Sequence, residues 1–226
     1  MLSPAGCPKE TMRLYLASTS PARLATLRAA GIEPVVVHSN VDEPATVAEA
    51  EAKSGPLPPA EMVALLARVK AEAVASTVID GEQLDGFIVG GDSAFEIAGT
   101  VYGKPHTAEV ARERWLAQRG MTGRLYSGHW LIDHRGGIHG NTAGKTSVAS
   151  VTFADNISES EIDSYVSTGE PLEVAGAFTI DSLGGAFISR IDGDPSTVVG
   201  LSLPTLRNLF IQLGVEWPDL WNRTAL

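Results

Sequence analysis

Phe87-Ile88-Val89-Gly90-Gly91-Asp92-Ser93-Ala94-Phe95-Glu96-Ile97-Ala98-Gly99-Thr100-Val101-Tyr102 decides between a purely parallel and a mixed sheet. Phe87 to Gly90 reads as a strongly apolar strand running into Gly91-Asp92-Ser93. Phe95-Glu96-Ile97 and Thr100-Val101-Tyr102 then flank Ala98-Gly99, which is a hairpin signal. Upstream, Arg13 to Ala17 reads as a buried strand. Ser18-Thr19-Ser20-Pro21 opens a helix from about Ala22 to Ala30, and Gly31 stops it. Pro34 to His38 is a second strand, ending in the acidic loop Asn40-Val41-Asp42-Glu43. Ala45 to Pro59 is an Ala/Glu/Pro stretch read as an exposed connection. Glu61 to Ala75 has the spacing of an amphipathic helix. Downstream, a helix is expected over Ala108–Arg119 and strands over Leu125–Asp133 and Ser147–Phe153. The capping box Ser158-Glu159-Ser160-Glu161 opens another helix to about Ser167. A glycine-rich segment, Gly176 to Gly185, leads to a strand at Ala186–Ile191 and a last helix over Leu203–Leu213. Helices alternate with strands, yet hairpins interrupt them. The expected class is therefore α/β with a mixed twisted sheet.

Composition bounds the partners. The chain has 226 residues, 44% hydrophobic and 19% charged, which is globular material. Its formal net charge of −10 opposes a non-specific grip on nucleic acid or an anionic membrane. A phosphate-bearing ligand then needs a local basic site or a bridging cation. Cys7 is the one cysteine, so no internal disulfide can form. With no signal peptide and no apolar stretch long enough to span a bilayer, a cytoplasmic setting is expected. Residues 1–11 read as a flexible N-terminal extension, with Met12 a candidate start, and 12–226 as a single domain.

Four constellations can carry chemistry. Ser18-Thr19-Ser20-Pro21-Ala22-Arg23 joins a strand, a hydroxyl-rich turn and a helix N-terminus, which favours an anion; a simple N-cap with a surface arginine is the plainer alternative. Asp42-Glu43 offers two carboxylates for Mg²⁺ or forms an exposed acidic turn. Asp92 follows a buried strand and glycines, where it can bind metal, activate water or close an Asx turn. Lys104, between Gly103 and Pro105, suits a phosphate-contacting charge, although the P-loop spacing is absent. The five histidines have no ligand spacing and read as surface or core residues.

These motifs together resemble the Maf family of nucleoside-triphosphate pyrophosphatases. The matching stretches are LYLASTSPARLATLRAAGIEP, NVDE, LLARVKAEAV, VGGDSAFEIAGTVYGKP, SESEIDSYVSTGEPLEVAGAF and GDPSTVVGLSLP, in order, from about Arg13 to Leu213. The resemblance implies two lobes with a deep central cleft, similar to inosine-triphosphate pyrophosphatases. It implies hydrolysis of a nucleoside triphosphate to the monophosphate and pyrophosphate with Mg²⁺ or Mn²⁺, a house-cleaning or division-arrest role, and a homodimer. It places the proton acceptor at Asp92, metal-binding carboxylates at Glu43 and Asp92, and catalytic groups also at Glu43 and Lys104. Substrate contacts fall on Ser18, Ser20, Arg23 and Lys70. The positions tied to base choice are Ala22, Ser93 and Asp181. A dTTP/UTP-acting subgroup has arginine, threonine and glutamine there; a 7-methyl-GTP-acting subgroup has an aromatic residue, glutamine and glutamate. This chain matches neither, and its carboxylate at Asp181 points to a guanine-type or broad substrate range. Two other readings stand beside this one. A regulator of cell division would bind nucleotide without turnover. A GDS-type esterase would use Ser93 as nucleophile, but no D-x-x-H pair is present to activate it.

Overall fold

The protein is described by a computed structural model covering residues 12–79 and 81–223. The expected extension at residues 1–11, with Cys7, lies outside the described residues.

Strand β1 (Leu14–Ala17) leads through helix α1 (Pro21–Ala29) to β2 (Val35–Val36). Helices α2 (Glu43–Ser54) and α3 (Pro59–Ala75) follow, then a small hairpin of β3 (Val78–Ile79) and β4 (Glu82–Gln83). Next come β5 (Gly86–Ile97), β6 (Thr100–Tyr102), α4 (Ala108–Gln118), β7 (Thr122–His134) and β8 (Thr142–Phe153). Helix α5 (Glu159–Ser167), β9 (Ile188–Asp192), α6 (Pro195–Val199) and α7 (Leu203–Gln212) complete the order. The main sheet runs β2-β1-β5-β7-β8-β9, with β6 also on β5. β2, β1 and β5 are parallel, whereas β5, β7, β8 and β9 are antiparallel. The mixed α/β sheet expected from the sequence is present.

Side chains alternate across β1 and β5, and this sorts the core. Leu14, Leu16, Phe87 and Val89 pack with Leu27 of α1 and Leu206, Leu209 and Phe210 of α7. Tyr15, Ala17 and Ile88 pack on the other face with Ala71 and Val74 of α3. Further along β5, Phe95 anchors another core with Trp115 of α4, Tyr165 of α5, Phe153 and Phe178.

Two expectations change. The stretch from Ala45 to Pro59 is not a loose connection, because most of it is α2. Asp42 caps that helix by accepting from the Ala45 N–H at 3.0 Å, and Pro44 sits in its first turn. Alanine and glutamate then propagate it. No residue of α2 is buried, so it lacks the apolar stripe that would have marked it. Likewise Asp92 does not follow a strand. It lies inside β5, because β7 pairs with β5 from Gly86 to Glu96 and carries the ladder past the glycines.

Those glycines admit α3. A Cβ on Gly90 would lie 2.1 Å from the Ala67 carbonyl oxygen, and one on Gly128 of β7 would lie 2.2 Å from that of Val63. The helix backbone thus rests on the two strands without intervening side chains. Gly90→Ala is expected to destabilise the protein by about 2 kcal/mol or more through overpacking. Gly103→Ala, with open space around its Cβ, is the near-neutral control in the same urea titration.

Candidate active site

Strand β5 has one fully paired edge and one interrupted edge. On the interrupted edge β1 ends with Ala17 opposite Gly90, and β6 begins only where Tyr102 meets Phe95. Among the described residues no strand covers positions 91–94 there. The Ser18 turn leaves one side of this gap, and Gly103-Lys104-Pro105 leaves the other. Gaps between strand ends are where ligand crevices form in α/β sheets. Asp92 and Ser93 occupy the gap and, as sequence neighbours in a strand, face opposite sides of the sheet.

Asp92 faces α3. Lys70, one helix turn beyond the close contact at Ala67, places its Nζ 2.8 Å from Asp92 Oδ1 and 2.7 Å from Glu43 Oε1. Lys70 and Asp92 are both buried, and Glu43 is half-exposed at the start of α2. Asp42 and Glu43 therefore part company: Asp42 caps the helix, and only Glu43 turns to the site. Burial pushes the Asp92 carboxyl above its ordinary range; the charges of Lys70 and Arg23 oppose that push and Glu43 adds to it. The two carboxylates already converge on one cation, as hard oxygen ligands for a divalent ion would. Among the described residues no group of three His, Cys, Asp or Glu side chains is placed to hold a metal. A pair of carboxylates suits an ion that brings its remaining ligands with it, such as Mg²⁺ on a triphosphate.

Ser93 faces the other side, where Arg23 is buried at 8% exposure. Arg23 donates from Nε to the Gly200 carbonyl at 2.8 Å, from Nη1 to Ser18 Oγ at 2.9 Å, and from Nη2 to Ser93 Oγ at 2.9 Å. All three nitrogens thus bind protein, and one N–H on each terminal nitrogen remains. Burial lowers the Arg23 pKa, against the charges of Asp92 and Glu43, but a guanidinium stays protonated. The buried Ser127 hydroxyl donates to the Thr197 carbonyl at 2.8 Å, so it accepts from Ser93 at 3.1 Å. The polarity runs one way, from Arg23 through Ser93 and Ser127 to the backbone. Among the described residues the partners of the Ser93 hydroxyl are Arg23 and Ser127, neither of them a base, so the arrangement an esterase nucleophile needs is absent there.

His129 supports the loop beneath Arg23. It lies opposite Gly91 on β7, at 1% exposure. Its Nε2 accepts from the Ser202 backbone N–H at 2.8 Å, so the neutral ring carries its proton on Nδ1, facing the Lys145 carbonyl at 3.2 Å. Ser202 closes the α6–α7 connection that presents Gly200 to Arg23.

The remaining sequence candidates are more dispersed. Ser20 caps α1, its Oγ accepting from the Arg23 N–H at 3.4 Å, and half-buried Ala22 lies in that first turn. Lys104 is exposed and pairs with Glu173 at 3.5 Å; no ion pair joins it to Asp92. Asp181 is exposed between two short 3-10 helices, Ala175–Ala177 and Leu183–Phe187. Ser127, His129 and Gly200 were not singled out from the sequence. For Ser127 and His129 the local signal is polar residues within an otherwise apolar strand, Leu125 to Ile132; Gly200 lies outside it, directly after α6.

A hydroxyl-rich turn, buried cations and converging carboxylates around one interrupted edge of a mixed α/β sheet define an α/β protein with a charged strand-end site. Residues 13–213 match the Maf-like protein family, and the chain belongs to it. It is 69% identical over 215 residues to the "Nucleoside triphosphate pyrophosphatase" of Leifsonia xyli subsp. xyli, covering 95% of this chain and 99% of that protein. It is 47% identical to the protein of the same name from Nocardia farcinica, over 95% of this chain and 99% of that protein. With the Corynebacterium diphtheriae protein of that name it shares 44%, over 93% and 99%.

Desolvation lowers the His129 pKa from its usual 6.5 to about 4, and the nearby Arg23 charge adds to this against Asp194 and the Lys145 carbonyl. Between those values the unfolded chain binds a proton that the folded chain refuses. This stability is therefore whole above pH 6.5 and falls as the pH drops toward 4, by about 3 kcal/mol. Chemical denaturation at pH 7 and pH 4.5 is expected to show a steeper loss for wild type than for His129→Gln. Equal losses would refute the assignment.

Proposed function

We propose that this chain hydrolyses nucleoside triphosphates to the monophosphate and pyrophosphate in the gap beside β5, with Asp92 as proton acceptor. The observation that carries this reading is Lys70 held between Glu43 and Asp92, one sheet face away from the Ser18–Arg23 turn. That arrangement puts carboxylates and cations around one opening, as a charged phosphoryl substrate requires.

Glu43 and Asp92 are the residues that would hold Mg²⁺ or Mn²⁺. When bound, the ion would neutralise triphosphate charge and lower the pKa of a water. The chain's own groups do the rest. Asp92, a carboxylate made more basic by burial, takes the proton of the attacking water as that oxygen bonds to the α-phosphorus. The bond from the α-phosphorus to the bridging oxygen breaks, and pyrophosphate leaves with the electron pair. Lys70 has three N–H donors, of which Glu43 and Asp92 occupy two, leaving one for a phosphate oxygen. Lys104, on the far side of the gap, meets the leaving charge on release from its exposed partner Glu173. Exposed pairs are weak enough to exchange. Arg23 supplies fixed positive charge and holds the Ser18 turn open to the anion.

Base choice falls to Asp181, with Ala22 and Ser93 shaping the pocket. A carboxylate accepts from both N1–H and the 2-amino group of guanine, and it repels the carbonyl edge of uracil; this supports a guanine-type or broad preference. The net charge of −10 favours small-molecule substrates over nucleic acid or anionic membrane partners. No described helix is long and apolar enough to cross a membrane. A cytoplasmic, house-cleaning role and a homodimer complete the reading.

Pyrophosphate release across a nucleotide panel tests this. Asp92→Asn is expected to lower kcat by about a hundredfold or more. EDTA should abolish the activity and Mg²⁺ or Mn²⁺ restore it. Undiminished release by Asp92→Asn refutes the proton-acceptor role, and full activity in EDTA refutes the metal. Asp181→Asn should narrow the ratio of GTP to UTP turnover by about tenfold; an unchanged ratio refutes the base assignment.

A further inference from the structure

Glu170 accepts more hydrogen bonds than any role in the chemistry above requires. It follows Gly169, which has a φ of 78°, and opens the 3-10 helix Glu170–Glu173. Its Oε1 accepts from the Tyr165 hydroxyl at 2.9 Å, the Thr179 hydroxyl, and the Gly184 N–H at 3.0 Å. Its Oε2 accepts from the Ser182 hydroxyl at 2.7 Å and the Leu183 N–H at 3.2 Å. Four of these donors belong to residues 179–184, so one carboxylate folds that loop around itself. Asp181 stands in the middle of the loop. It is exposed, and no hydrogen bond or ion pair holds it among the described residues. The same turn of 3-10 helix carries Glu173, the partner of Lys104 and His106.

We propose that Glu170 is a positioning residue for nucleobase discrimination, fixing the loop 179–184 from which Asp181 projects. The inference rests on the reading of Asp181 given above. A carboxylate on a pre-ordered loop binds without the cost of ordering it, so its hydrogen bonds count in full toward discrimination. The anchor is anionic at working pH. Burial pushes the Glu170 carboxyl up, but the hydrogen bonds from Thr179, Ser182, Gly184 and Tyr165 outweigh that and bring it down to about 2.

Glu170→Gln is the informative change because it is isosteric. Each carboxylate oxygen accepts from a backbone N–H, Gly184 on one side and Leu183 on the other. A glutamine NH₂ must replace one of them, and whichever way it turns it meets an N–H that cannot become an acceptor. The loop is expected to detach on that side.

The experiment measures kcat and KM for GTP and UTP, with thermal unfolding and amide exchange at Leu183 and Gly184. Glu170→Gln is expected to compress the GTP to UTP ratio of kcat/KM by roughly tenfold, mainly through KM of the preferred nucleotide. Exchange at Leu183 and Gly184 should rise, and Glu170→Asp should recover part of the discrimination. Ser182→Ala, which removes one donor and keeps Asp181, should shift the ratio the same way by a smaller factor and serves if Glu170→Gln fails to fold. An equal loss for both nucleotides, or an unchanged ratio, overturns the proposal. If Glu170→Gln compresses the ratio while Asp181→Asn does not, the role of Asp181 fails and that of Glu170 stands. The reverse pattern refutes Glu170 alone.

Discussion

The carbonyl oxygens of Ala67 and Val63 lie where side chains on Gly90 and Gly128 would begin, so α3 rests backbone to backbone on the two central strands. This approach brings the next turn of α3 down with it, and Lys70 reaches Asp92 as a buried ion pair. A bulkier residue at either glycine would lift the helix and leave a buried carboxylate without its ammonium. Burying a lone charge costs several kcal/mol, so packing and electrostatics at this point are one constraint.

The sheet itself divides the labour. Alternation along β5 sends Asp92 to the α3 face and Ser93 to the Arg23 face. The proposed proton acceptor and the network that fixes Arg23 thereby lie on opposite faces of the sheet. That network engages every nitrogen of Arg23 and is directional, ending on backbone carbonyls at Thr197 and Gly200. Satisfied buried networks are rigid. Arg23 therefore acts as a fixed charge under the Ser18 turn, where a surface arginine would reach for phosphate from solvent.

Legibility followed the range of each interaction. The β1–turn–α1 unit, the β5–β6 hairpin and the capping box of α5 were readable because their signals lie within a few residues. Helix α2 was not, since a helix that buries nothing has no periodicity to read. The carboxylate pair Asp42-Glu43 looked like one site; the cap of α2 takes Asp42 and leaves Glu43. Asp92 looked like the end of a strand, because its glycines resemble a turn and because β7, which carries the strand onward, lies some 30 to 40 residues away in the chain.

By itself the sequence determined the mixed α/β class and the charged residues eligible for the site, since those follow from local pattern, and it carried the family through the resemblance of six stretches in order. The tertiary structure decided which of them meet. Register between β1, β5 and β6 opened the gap at positions 91–94, and α3 delivered Lys70 to it. Ser127, His129, Gly200 and Glu170 acquired their roles only from partners distant in sequence or grouped by loop closure. Such contacts depend on where the chain returns in space, and no window of neighbouring residues records that.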